Sequence, residues 1–426
     1  MKEILFKNAR VIDPARNLDA VGDVGIAEGK FAAPGALKSP EVIDLTGKVL
    51  SPGFIDIHVH LRQPGNTTAE TVASGSRAAA AGGFTSIVAM PNTNPPADTA
   101  GAIEYLRRAA EEQAVVRVLP CGNMSKGGKG EEMAGIGSLK AAGVVALSDD
   151  GRCIQDHSLM RHVVEYAKSF DLPILDHCEE VTLAAGGVMN EGKWSVLLGM
   201  NGIAGASEEL IVARNILFAK QIDWRIHMQH VSTAGSAEML RRARAEGIPV
   251  SGEATPHHLT LTDECIKYFD TNYKMNPPLR SESDRQALIQ AVADGTITVI
   301  ATDHAPHTAT AKLVEFDNAP FGIIGLETAF PLCFTELVSS GVIPLEKLIP
   351  KFTVGPAEVL GLRNYSLSEG NPADVTVIDP NAEYVIDKEK FFSKSRNTPF
   401  DGRTVRGRVE MTMVGGRIVY RDGRIV

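Results

Sequence analysis

The sequence predicts an α/β protein, a (β/α)8 TIM-like barrel joined to a small composite β-sandwich domain built from both chain ends. Three observations support this fold class. The middle of the chain alternates short apolar strands with alanine-rich helical segments, both ends consist of short strands separated by turns, and polar side chains follow the middle strands where they end. In such a barrel the active site lies at the carboxyl ends of the strands, so these polar side chains are expected to converge there.

The predicted barrel occupies residues 51–360, and the segments 1–50 and 361–426 supply the two parts of the sandwich. The predicted barrel strands are Phe54–His58, Thr85–Ala89, Val115–Leu119, Val144–Leu147, Pro173–Asp176, Arg225–His230, Pro249–Gly252 and Thr298–Ala301. Helical patterns lie between them at Ala69–Ala81, Asp98–Gln113, Ser158–Ser169, Glu208–Ala219 and Ala234–Ala245. Strands that alternate with helices of this length are typical of parallel βα units.

Composition excludes several classes of function. A chain of 426 residues with a formal net charge of −9 is poorly suited to bind nucleic acid or an anionic membrane, which call for basic patches. The five cysteines form no CxxC pair, which favours reduced thiols in a cytoplasmic protein. The charged amino-terminal segment is not expected to act as a signal peptide, and no apolar run approaches the about 18 residues that cross a bilayer.

The first barrel strand ends in two histidines that are separated by one residue. Side chains alternate between the two faces of a strand, so His58 and His60 are expected to point the same way, with Asp56 on the same face. Two imidazoles that converge from one strand end suit a first-row divalent metal, most often zinc. An isolated pair of this kind is more often solvated, so the downstream residues decide between the two interpretations.

Four more candidate ligands follow later strands. Asp150 follows the fourth strand, His177 follows the fifth, His230 ends the sixth, and Asp303 follows the eighth. Four histidines and two carboxylates are enough for two divalent ions with one bridging carboxylate. Such a pair lowers the pKa of a bound water towards about 7. Each residue alone could be structural, but all six at strand ends favour a metal centre.

These segments resemble the signatures of the class I bacterial dihydroorotases, a family of the amidohydrolase superfamily. The segment His58–Gly65 resembles the first signature of that family, and Ala301–His307, followed after four residues by Lys312, resembles the second. Further matching segments fall in the expected order between them: Met90–Thr93, Asp149–Gly151, Glu253–His258 and Met275–Arg280. The resemblance extends to the turn Gly370–Asp374 and covers nearly the whole chain.

The resemblance implies a role for each site residue. The metal ligands it implies are His58 and His60 on one ion, His177 and His230 on the second, Asp150 as the bridge, and Asp303, which binds the first ion and acts as the catalytic acid/base. The substrate-binding residues it implies are His60, Leu61, Arg62, Asn92, Asn276, His307, Phe321 and Gly322. This set is chemically coherent, because a guanidinium pairs bidentately with a carboxylate and amides bind ring N–H and C=O groups.

The activity implied is zinc-dependent, reversible hydrolysis of the cyclic amide of (S)-dihydroorotate to N-carbamoyl-L-aspartate, in de novo pyrimidine (UMP) biosynthesis. The expected cofactor is Zn²⁺, one or two ions per subunit with two favoured. A cytoplasmic homodimer is expected, and aspartate transcarbamoylase is a further partner that the resemblance allows. The polar loop from about His307 to Asn318 is long enough to act as a lid.

Two alternative interpretations stay open. Hydantoinases and allantoinases bridge their metals with a carboxylated lysine after the fourth strand, but Gly143–Gly151 contains no lysine, and the pair Arg62 and Asn92 also counts against them. A non-catalytic dihydroorotase-like subunit that scaffolds aspartate transcarbamoylase would have lost metal ligands, whereas this chain keeps all six. Strand parity does not distinguish Asp149 from Asp150, and the family pattern favours Asp150.

Five further histidines are expected to lie outside the ligand set. His227 lies three residues before His230 and should face the other side of the strand. The others are expected to be solvated, capping or pocket-lining, with no ligand position left for them: His157, His162, His257 and His258.

Overall fold

Two large sheets organise the protein, as seen in a computed structural model that describes residues 2–426. The strands before the barrel are β1 (Ile4–Asp13), β2 (Leu18–Ala27), β3 (Lys30–Ala32), β4 (Glu41–Asp44) and β5 (Val49–Pro52). The middle of the chain contains β6 (Phe54–Val59), β7 (Phe84–Ala89), β8 (Arg117–Gly122), β9 (Ala146–Leu147), β10 (Ile174–Asp176), β11 (Met189–Asn190), β12 (Gly202–Ile203), β13 (Ile226–Met228), β14 (Val250–Ala254) and β15 (Val299–Ile300). The last strands are β16 (Val375–Val385), β17 (Thr404–Val414), β18 (Arg417–Arg421) and β19 (Arg424–Ile425).

The α-helices surround the barrel. They are α1 (Val72–Ala81), α2 (Ala100–Gln113), α3 (Ile136–Ala142), α4 (His157–Ser169), α5 (Val181–Ala184), α6 (Lys193–Leu198), α7 (Gly205–Ile222), α8 (Ala234–Ala245), α9 (Pro256–Thr260), α10 (Glu282–Ala293), α11 (Ala309–Lys312), α12 (Ala329–Cys333), α13 (Leu345–Phe352) and α14 (Val354–Val359). Several begin after a side chain that accepts a hydrogen bond from a backbone N–H of the first turn, which stabilises the helix start: Thr71, Thr99, Asp156, Thr233 and Ser281.

The remaining helical turns are short. Single 3₁₀ turns span Pro14–Arg16, Pro34–Ala36, Lys126–Gly128, Asp263–Tyr268, Thr271–Tyr273 and Lys388–Lys390. Helix α12 continues into a π-helical turn over Phe334–Ser339.

Eight parallel strands form the barrel in the order β6, β7, β8, β9, β10, β13, β14 and β15. Every residue of β6 and β7 is buried, as expected for a parallel sheet that is covered on both faces. The ring closes just beyond β15, where the His60 N–H donates to the His304 carbonyl at 2.9 Å. The predicted barrel is therefore confirmed.

The second sheet contains strands from both chain ends, as predicted. Strand β5 pairs with β1 in parallel and with β16 antiparallel, so it joins the amino-terminal strands to the carboxyl-terminal ones. The result is one nine-stranded mixed sheet. The boundaries at residues 50/51 and 360/361 stay a prediction. Across residues 2–426, no helix has the length and apolar character needed to cross a membrane.

The segment between β16 and β17 leaves this sheet and packs against the catalytic face of the barrel. Its Ser395 hydroxyl donates to the Ala69 carbonyl at 2.7 Å, ahead of α1. Asn397 of the same segment binds the loop after β15. The carboxyl-terminal part of the chain therefore helps to build the mouth of the barrel.

Candidate active site

The structure brings the six predicted metal ligands together where the barrel strands end. All six side chains are buried: His58, His60, Asp150, His177, His230 and Asp303. Asp149, the alternative to Asp150, points elsewhere, because its carboxylate accepts hydrogen bonds from the Met124 and Ser125 backbone. Of the two neighbouring aspartates, only Asp150 faces the histidines.

Asp150 lies at the centre of the cluster. Its Oδ1 is 3.1 Å from His58 Nε2, and its Oδ2 is 3.2 Å from His60 Nε2. The same Oδ1 is 3.7 Å from His177 Nδ1 and 3.8 Å from His230 Nε2. One carboxylate therefore faces both pairs of histidines, as a bridging ligand must.

Asp303 approaches the first pair. Its Oδ1 is 3.1 Å from His60 Nε2 and 3.4 Å from His58 Nε2. Ligand atoms within 4.8 Å of one another form three overlapping groups: His58 with His60 and Asp150, Asp150 with His177 and His230, and His58 with His230 and Asp303. The first two groups share Asp150, which is the arrangement expected for two adjacent cations.

Unpaired polar atoms test whether a metal fits this cluster. Among residues 2–426, His58 Nε2 and Asp150 Oδ1 have no hydrogen-bond partner although both atoms are buried and face each other. Leaving such an atom unpaired costs about 1–3 kcal/mol, so a native protein is expected to satisfy it. Imidazole and carboxylate are ligands that zinc takes in proteins. The residues present therefore fit a divalent metal centre.

The charges of the cluster also favour a cation. Burial opposes protonation of His58, but the facing Asp303 and Asp150 carboxylates outweigh it and raise its pKa well above the usual range. Burial also disfavours the Asp150 carboxylate, yet the charge of His58 holds its pKa well below the usual range. The pocket thus keeps a buried carboxylate ionised beside imidazoles, and this attracts positive charge.

Two hydrogen bonds determine which nitrogen of each strand-end histidine faces the cluster. His58 Nδ1 donates to Glu253 Oε1 at 2.6 Å, and His60 Nδ1 donates to Asn92 Oδ1 at 2.9 Å. Because Nδ1 of each ring is used in this way, Nε2 is the nitrogen that faces the carboxylates in both histidines. Strand β6 also carries one extra residue relative to β7 between Asp56 and Val59, a bulge of the kind that redirects side chains beside active sites.

Asp56 shows the consequence of this bulge. It was expected on the face of His58 and His60, but its carboxylate instead accepts hydrogen bonds from the Thr302 hydroxyl at 2.6 Å and from the His58 backbone at 3.0 Å. It ties β6 to the end of β15 and takes no part in the cluster.

Three site residues have left-handed backbone conformations that residues with side chains rarely adopt. Their φ angles are 58° at Arg62, 32° at His230 and 45° at Asp303. Each conformation costs about 1–3 kcal/mol, and such residues concentrate at functional sites. All three follow barrel strands closely, where the turn redirects the side chain away from the alternation of the strand.

Arg62 and the loop after β15 form one wall beside the cluster. Arg62 Nη2 is 3.5 Å from His307 Nε2, and this His307 nitrogen donates to the Phe321 carbonyl at 2.7 Å. Gly322 has a φ of 149°, and a Cβ at this position would lie 2.6 Å from the Ala305 carbonyl oxygen. Only glycine allows this close approach, which brings the Phe321–Gly322 backbone up to His307.

The other predicted substrate residues differ in what they can offer. Asn276 Nδ2 donates to Glu179 Oε2 at 2.9 Å, while Asn276 Oδ1 is buried and unpaired. Asn92 is engaged with His60 through its oxygen and keeps its Nδ2 for another acceptor. The Leu61 side chain is buried in the apolar core, so a contact with substrate is left to its backbone.

Comparison with known proteins bears on this site. A family model described as "Dihydro-orotase-like" matches residues 47–236. A dihydroorotase of Solibacter usitatus is 50% identical over 421 residues, which is 98% of this chain and 98% of the relative. A dihydroorotase of Pelotomaculum thermopropionicum is 48% identical and covers 99% of both chains. The chain belongs to the dihydroorotase family.

Solved structures extend the likeness to the amidohydrolase fold. The L-hydantoinase (dihydropyrimidinase) from Arthrobacter aurescens matches with a TM-score of 0.90 and 25% identity, over 100% of this chain and 98% of that one. A dihydropyrimidinase from Brevibacillus agri matches with a TM-score of 0.87 and 24% identity, over 100% and 96%, and supports the fold alone. The dihydroorotase relatives and the L-hydantoinase match support the predicted cyclic amidohydrolase.

Glu253 is a residue of this dihydroorotase-family site that sequence reasoning missed. It lies in β14 and binds His58 through Oε1, while its Oε2 is 3.0 Å from His227 Nε2. His227 also contacts Ser251 Oγ at 2.7 Å, so it lies outside the ligand cluster but is linked to it through Glu253. One feature of the sequence could have indicated Glu253, because an ionisable residue is unusual inside a buried barrel strand.

Asn397 is a second missed residue. Its Nδ2 donates to the Ala305 and Gly322 carbonyls, both at 3.0 Å, and its Oδ1 accepts the His307 backbone N–H at 3.0 Å. It thereby holds both sides of the wall beside the cluster. No local pattern marks an asparagine that acts 90 residues away from its partner.

The histidines expected to be structural lie outside the cluster. His157 and His162 are exposed on α4. His258 is fixed by Thr255 Oγ1 at 2.8 Å and by the Pro277 carbonyl at 3.0 Å. His257 is buried, and burial lowers its pKa well below the usual range.

Proposed function

We propose that this chain is a class I dihydroorotase. The reaction is reversible hydrolysis of the cyclic amide of (S)-dihydroorotate to N-carbamoyl-L-aspartate, and ring closure is the direction of pyrimidine synthesis. The observation that carries the proposal is the arrangement of Arg62, His307 and the Phe321–Gly322 backbone beside a buried cluster centred on Asp150. The full-length relatives named dihydroorotase support the substrate.

The proposed cofactor is Zn²⁺, with two ions favoured. His58, His60 and Asp303 would hold one ion, His177 and His230 the other, and Asp150 would bridge them. When bound, such ions polarise a carbonyl oxygen and lower the pKa of a water molecule. The distances from Asp150 to all four histidines support a bridge that needs no carboxylated lysine, as the class I assignment requires.

Asp303 is the proposed acid/base. Its Oδ1 faces His58 and His60, so its other oxygen is free to serve the reacting atoms. It would accept the proton released by the attacking water and transfer it to the ring nitrogen that leaves. This use of one carboxylate in both proton transfers also explains how the enzyme catalyses the reverse reaction.

The proposed substrate site uses groups of matched chemistry. Arg62 pairs with the substrate carboxylate through its planar fork of donors, and neutral His307 stands beside it. Asn276 Oδ1, which is buried and unpaired, would accept a ring N–H, and Asn92 Nδ2 would donate to a ring carbonyl. The Gly322 backbone and the backbone of Leu61 complete the pocket.

The assembly of the enzyme is proposed from the family resemblance alone. We propose a homodimer in the cytoplasm, with aspartate transcarbamoylase as a candidate partner. Measurement of the molecular mass in solution, with and without that enzyme, tests both parts.

A direct assay tests the function. The purified protein, loaded with zinc, is expected to hydrolyse dihydroorotate and to close N-carbamoyl-aspartate, with little activity on hydantoin or allantoin. Zinc is measured on the same sample. Preference for hydantoin or allantoin would favour the hydantoinase alternative, and full zinc content without any hydrolysis would favour a scaffolding subunit.

A further inference from the structure

Two buried lysine side chains bind the loop from His307 to Gly322: Lys312 belongs to the loop, and Lys274 contacts it from the segment after α9. Lys274 is 2% exposed, and Lys312 is 6% exposed. Within residues 2–426, neither ammonium forms an ion pair with a carboxylate within 4.0 Å. Burial of an ammonium without a counter-ion is costly, so these two side chains call for an explanation.

The Lys312 ammonium joins the loop to the segment that follows α9. Its Nζ donates to the Thr271 carbonyl at 2.9 Å and to the Pro320 carbonyl at 2.8 Å, with the Lys274 carbonyl at 3.4 Å. The Lys312 carbonyl in turn accepts the Thr271 hydroxyl at 2.6 Å. Pro320 immediately precedes Phe321, so this ammonium fixes the chain where it enters the wall beside the cluster.

The Lys274 ammonium holds the middle of the same loop. Its Nζ donates to the Phe316 and Asp317 carbonyls at 2.8 and 2.9 Å, and it lies 4.7 Å from the centre of the Phe321 ring. Its backbone carbonyl accepts the Gly322 N–H at 2.9 Å. A cation placed over an aromatic ring adds attraction when it is desolvated.

The Lys312 ammonium also affects the charge of the wall. Burial lowers the pKa of His307 to about 3, and the charges of Arg62 and Lys312 contribute. His307 is therefore neutral, donates through Nε2 to the Phe321 carbonyl and has Nδ1 as an acceptor. Positive charge that has no carboxylate in direct contact on this side of the site favours an anion, because Coulomb interactions are strong where water is excluded.

We propose that Lys274 and Lys312 are positioning residues that hold the loop from His307 to Gly322 over the site, where its backbone and His307 meet an anionic substrate. The inference rests on the proposed function, since it takes the carboxylate of dihydroorotate as that anion. Neither lysine touches the predicted metal ligands. Both act through backbone carbonyls of the loop, so their loss disturbs substrate binding and leaves the metal in place.

Lys351 provides a matched control. It is a third buried lysine, 8% exposed, and its Nζ donates to the Ile297 carbonyl at 2.6 Å. Ile297 precedes β15 and so lies at the end of the barrel opposite the site. Lys351→Met removes a buried ammonium from the same type of acceptor without touching the loop.

The experiment compares Lys312→Met, Lys274→Met, Lys312→Arg and Lys351→Met as zinc-loaded full-length proteins. Three quantities are measured for each: zinc content, KM and kcat for dihydroorotate, and hydrogen–deuterium exchange of amides 307–322 without substrate. In Lys312→Met and Lys274→Met we expect faster exchange in this loop and a KM raised at least about tenfold, with kcat within about threefold and zinc unchanged. Lys312→Arg keeps the charge, and its KM is expected to lie closer to that of wild type than to that of Lys312→Met.

Two results would overturn the inference. The first is that Lys312→Met and Lys274→Met have the same KM and the same rate of amide exchange in the loop as Lys351→Met. The other is a loss of zinc that accounts for the change in activity. If Lys312→Met does not fold, Lys274→Met alone decides. Loop exchange needs no substrate, so failure of the wild-type assay would refute the proposed function without obscuring this test.

Discussion

The two halves of the candidate active site are built in opposite ways. The half proposed to bind metal, called the metal half, consists of side chains at the ends of parallel strands, such as His58, His230 and Asp303, whose ligand atoms lie within 4.8 Å of one another. The half proposed to bind substrate combines the Arg62 and His307 side chains with the Phe321–Gly322 backbone, which Asn397 and Lys274 hold from distant segments. One half is arranged by the barrel, and the other by contacts made after the barrel has formed.

This difference determines how each half should respond to substitution. The carboxyl ends of eight strands meet at one end of the barrel whatever the loops do, so the ligand cluster depends on few residues outside it. The wall opposite depends on hydrogen bonds to single carbonyls, each contributing only about 1–3 kcal/mol when the donor is charged. Changes to the metal half should abolish chemistry, and changes to the wall should weaken binding.

The largest effect is expected when a strand-end ligand is removed. His58→Ala or His60→Ala should lose bound zinc and hydrolysis together while the fold persists, because both imidazoles face Asp150 and Asp303. Zinc content, initial rates and circular dichroism are measured on the same samples. Full metal and full rate in both variants would remove these histidines from the metal half.

The next effect separates proton transfer from metal binding. Asp303→Asn keeps the shape and one ligand oxygen but cannot accept a proton, so turnover should fall at least about 10²-fold while most of the zinc is retained. A pH–rate profile of both proteins with zinc analysis checks this. Near-normal turnover with an unchanged acid limb would assign the proton transfer to another residue.

The two halves also differ in how well they could be predicted from the sequence. The barrel and the six candidate ligands could be predicted because strand ends recur in a regular order and the ligand types are distinctive. The prediction that Asp56 shares the face of His58 and His60 is wrong, because a bulge in β6 breaks the two-residue alternation. No sequence pattern indicates that bulge. The roles assigned to the six residues stay predictions.

The wall could be predicted only in part. His307, Phe321 and Gly322 belong to segments with a family resemblance, but nothing near them in sequence indicates what holds them. Asn397 and Lys274 reach the loop across long sequence separations, and both look like ordinary polar residues in their own segments. Contacts of this kind arise from tertiary packing, which local patterns do not encode.

An intermediate effect should come from Glu253, which supports the metal half from behind. Glu253→Gln keeps the size of the side chain but loses the charge that orients His58 and His227, and zinc affinity should fall about 10–100-fold. Competition with a chelator of known zinc affinity measures this. Unchanged affinity would show that β6 alone orients His58.

A smaller effect is expected on the other side of the site. Arg62→Lys keeps the positive charge but loses the planar fork, so KM for dihydroorotate should rise about tenfold with zinc content unchanged. Steady-state kinetics and zinc stoichiometry together check this. A KM equal to that of wild type would remove Arg62 from the carboxylate site, and parallel loss of zinc would make the two halves interdependent.

The smallest effect concerns the charge on Lys312. Burial and, to a smaller extent, the charge of neighbouring Lys274 together lower its pKa from the ordinary 10.5 to about 7, against the opposing charge of Asp270, and His307 also lies within its electrostatic reach. As pH rises from 6 to 9 the ammonium loses a proton, and its hydrogen bonds to the Thr271 and Pro320 carbonyls weaken. The KM for dihydroorotate should therefore rise about threefold. Lys312→Arg stays charged and should lack this rise.

The free energy of unfolding should increase over a pH range in which substrate binding weakens. Between about pH 7 and 10.5 the folded state binds fewer protons at Lys312 than the unfolded state does, so this group makes the free energy of unfolding increase with pH. Urea midpoints of wild type and Lys312→Arg, measured across that window, isolate the contribution as a difference. The lowered pKa of Lys312 therefore predicts that stability increases with pH, whereas its hydrogen bonds to the loop predict that substrate binding weakens between pH 6 and 9. A stability of wild type that does not increase with pH relative to Lys312→Arg would show that the pKa of Lys312 is not lowered. A KM of Lys312→Arg that rises with pH as in wild type would show that the charge on Lys312 does not hold the loop.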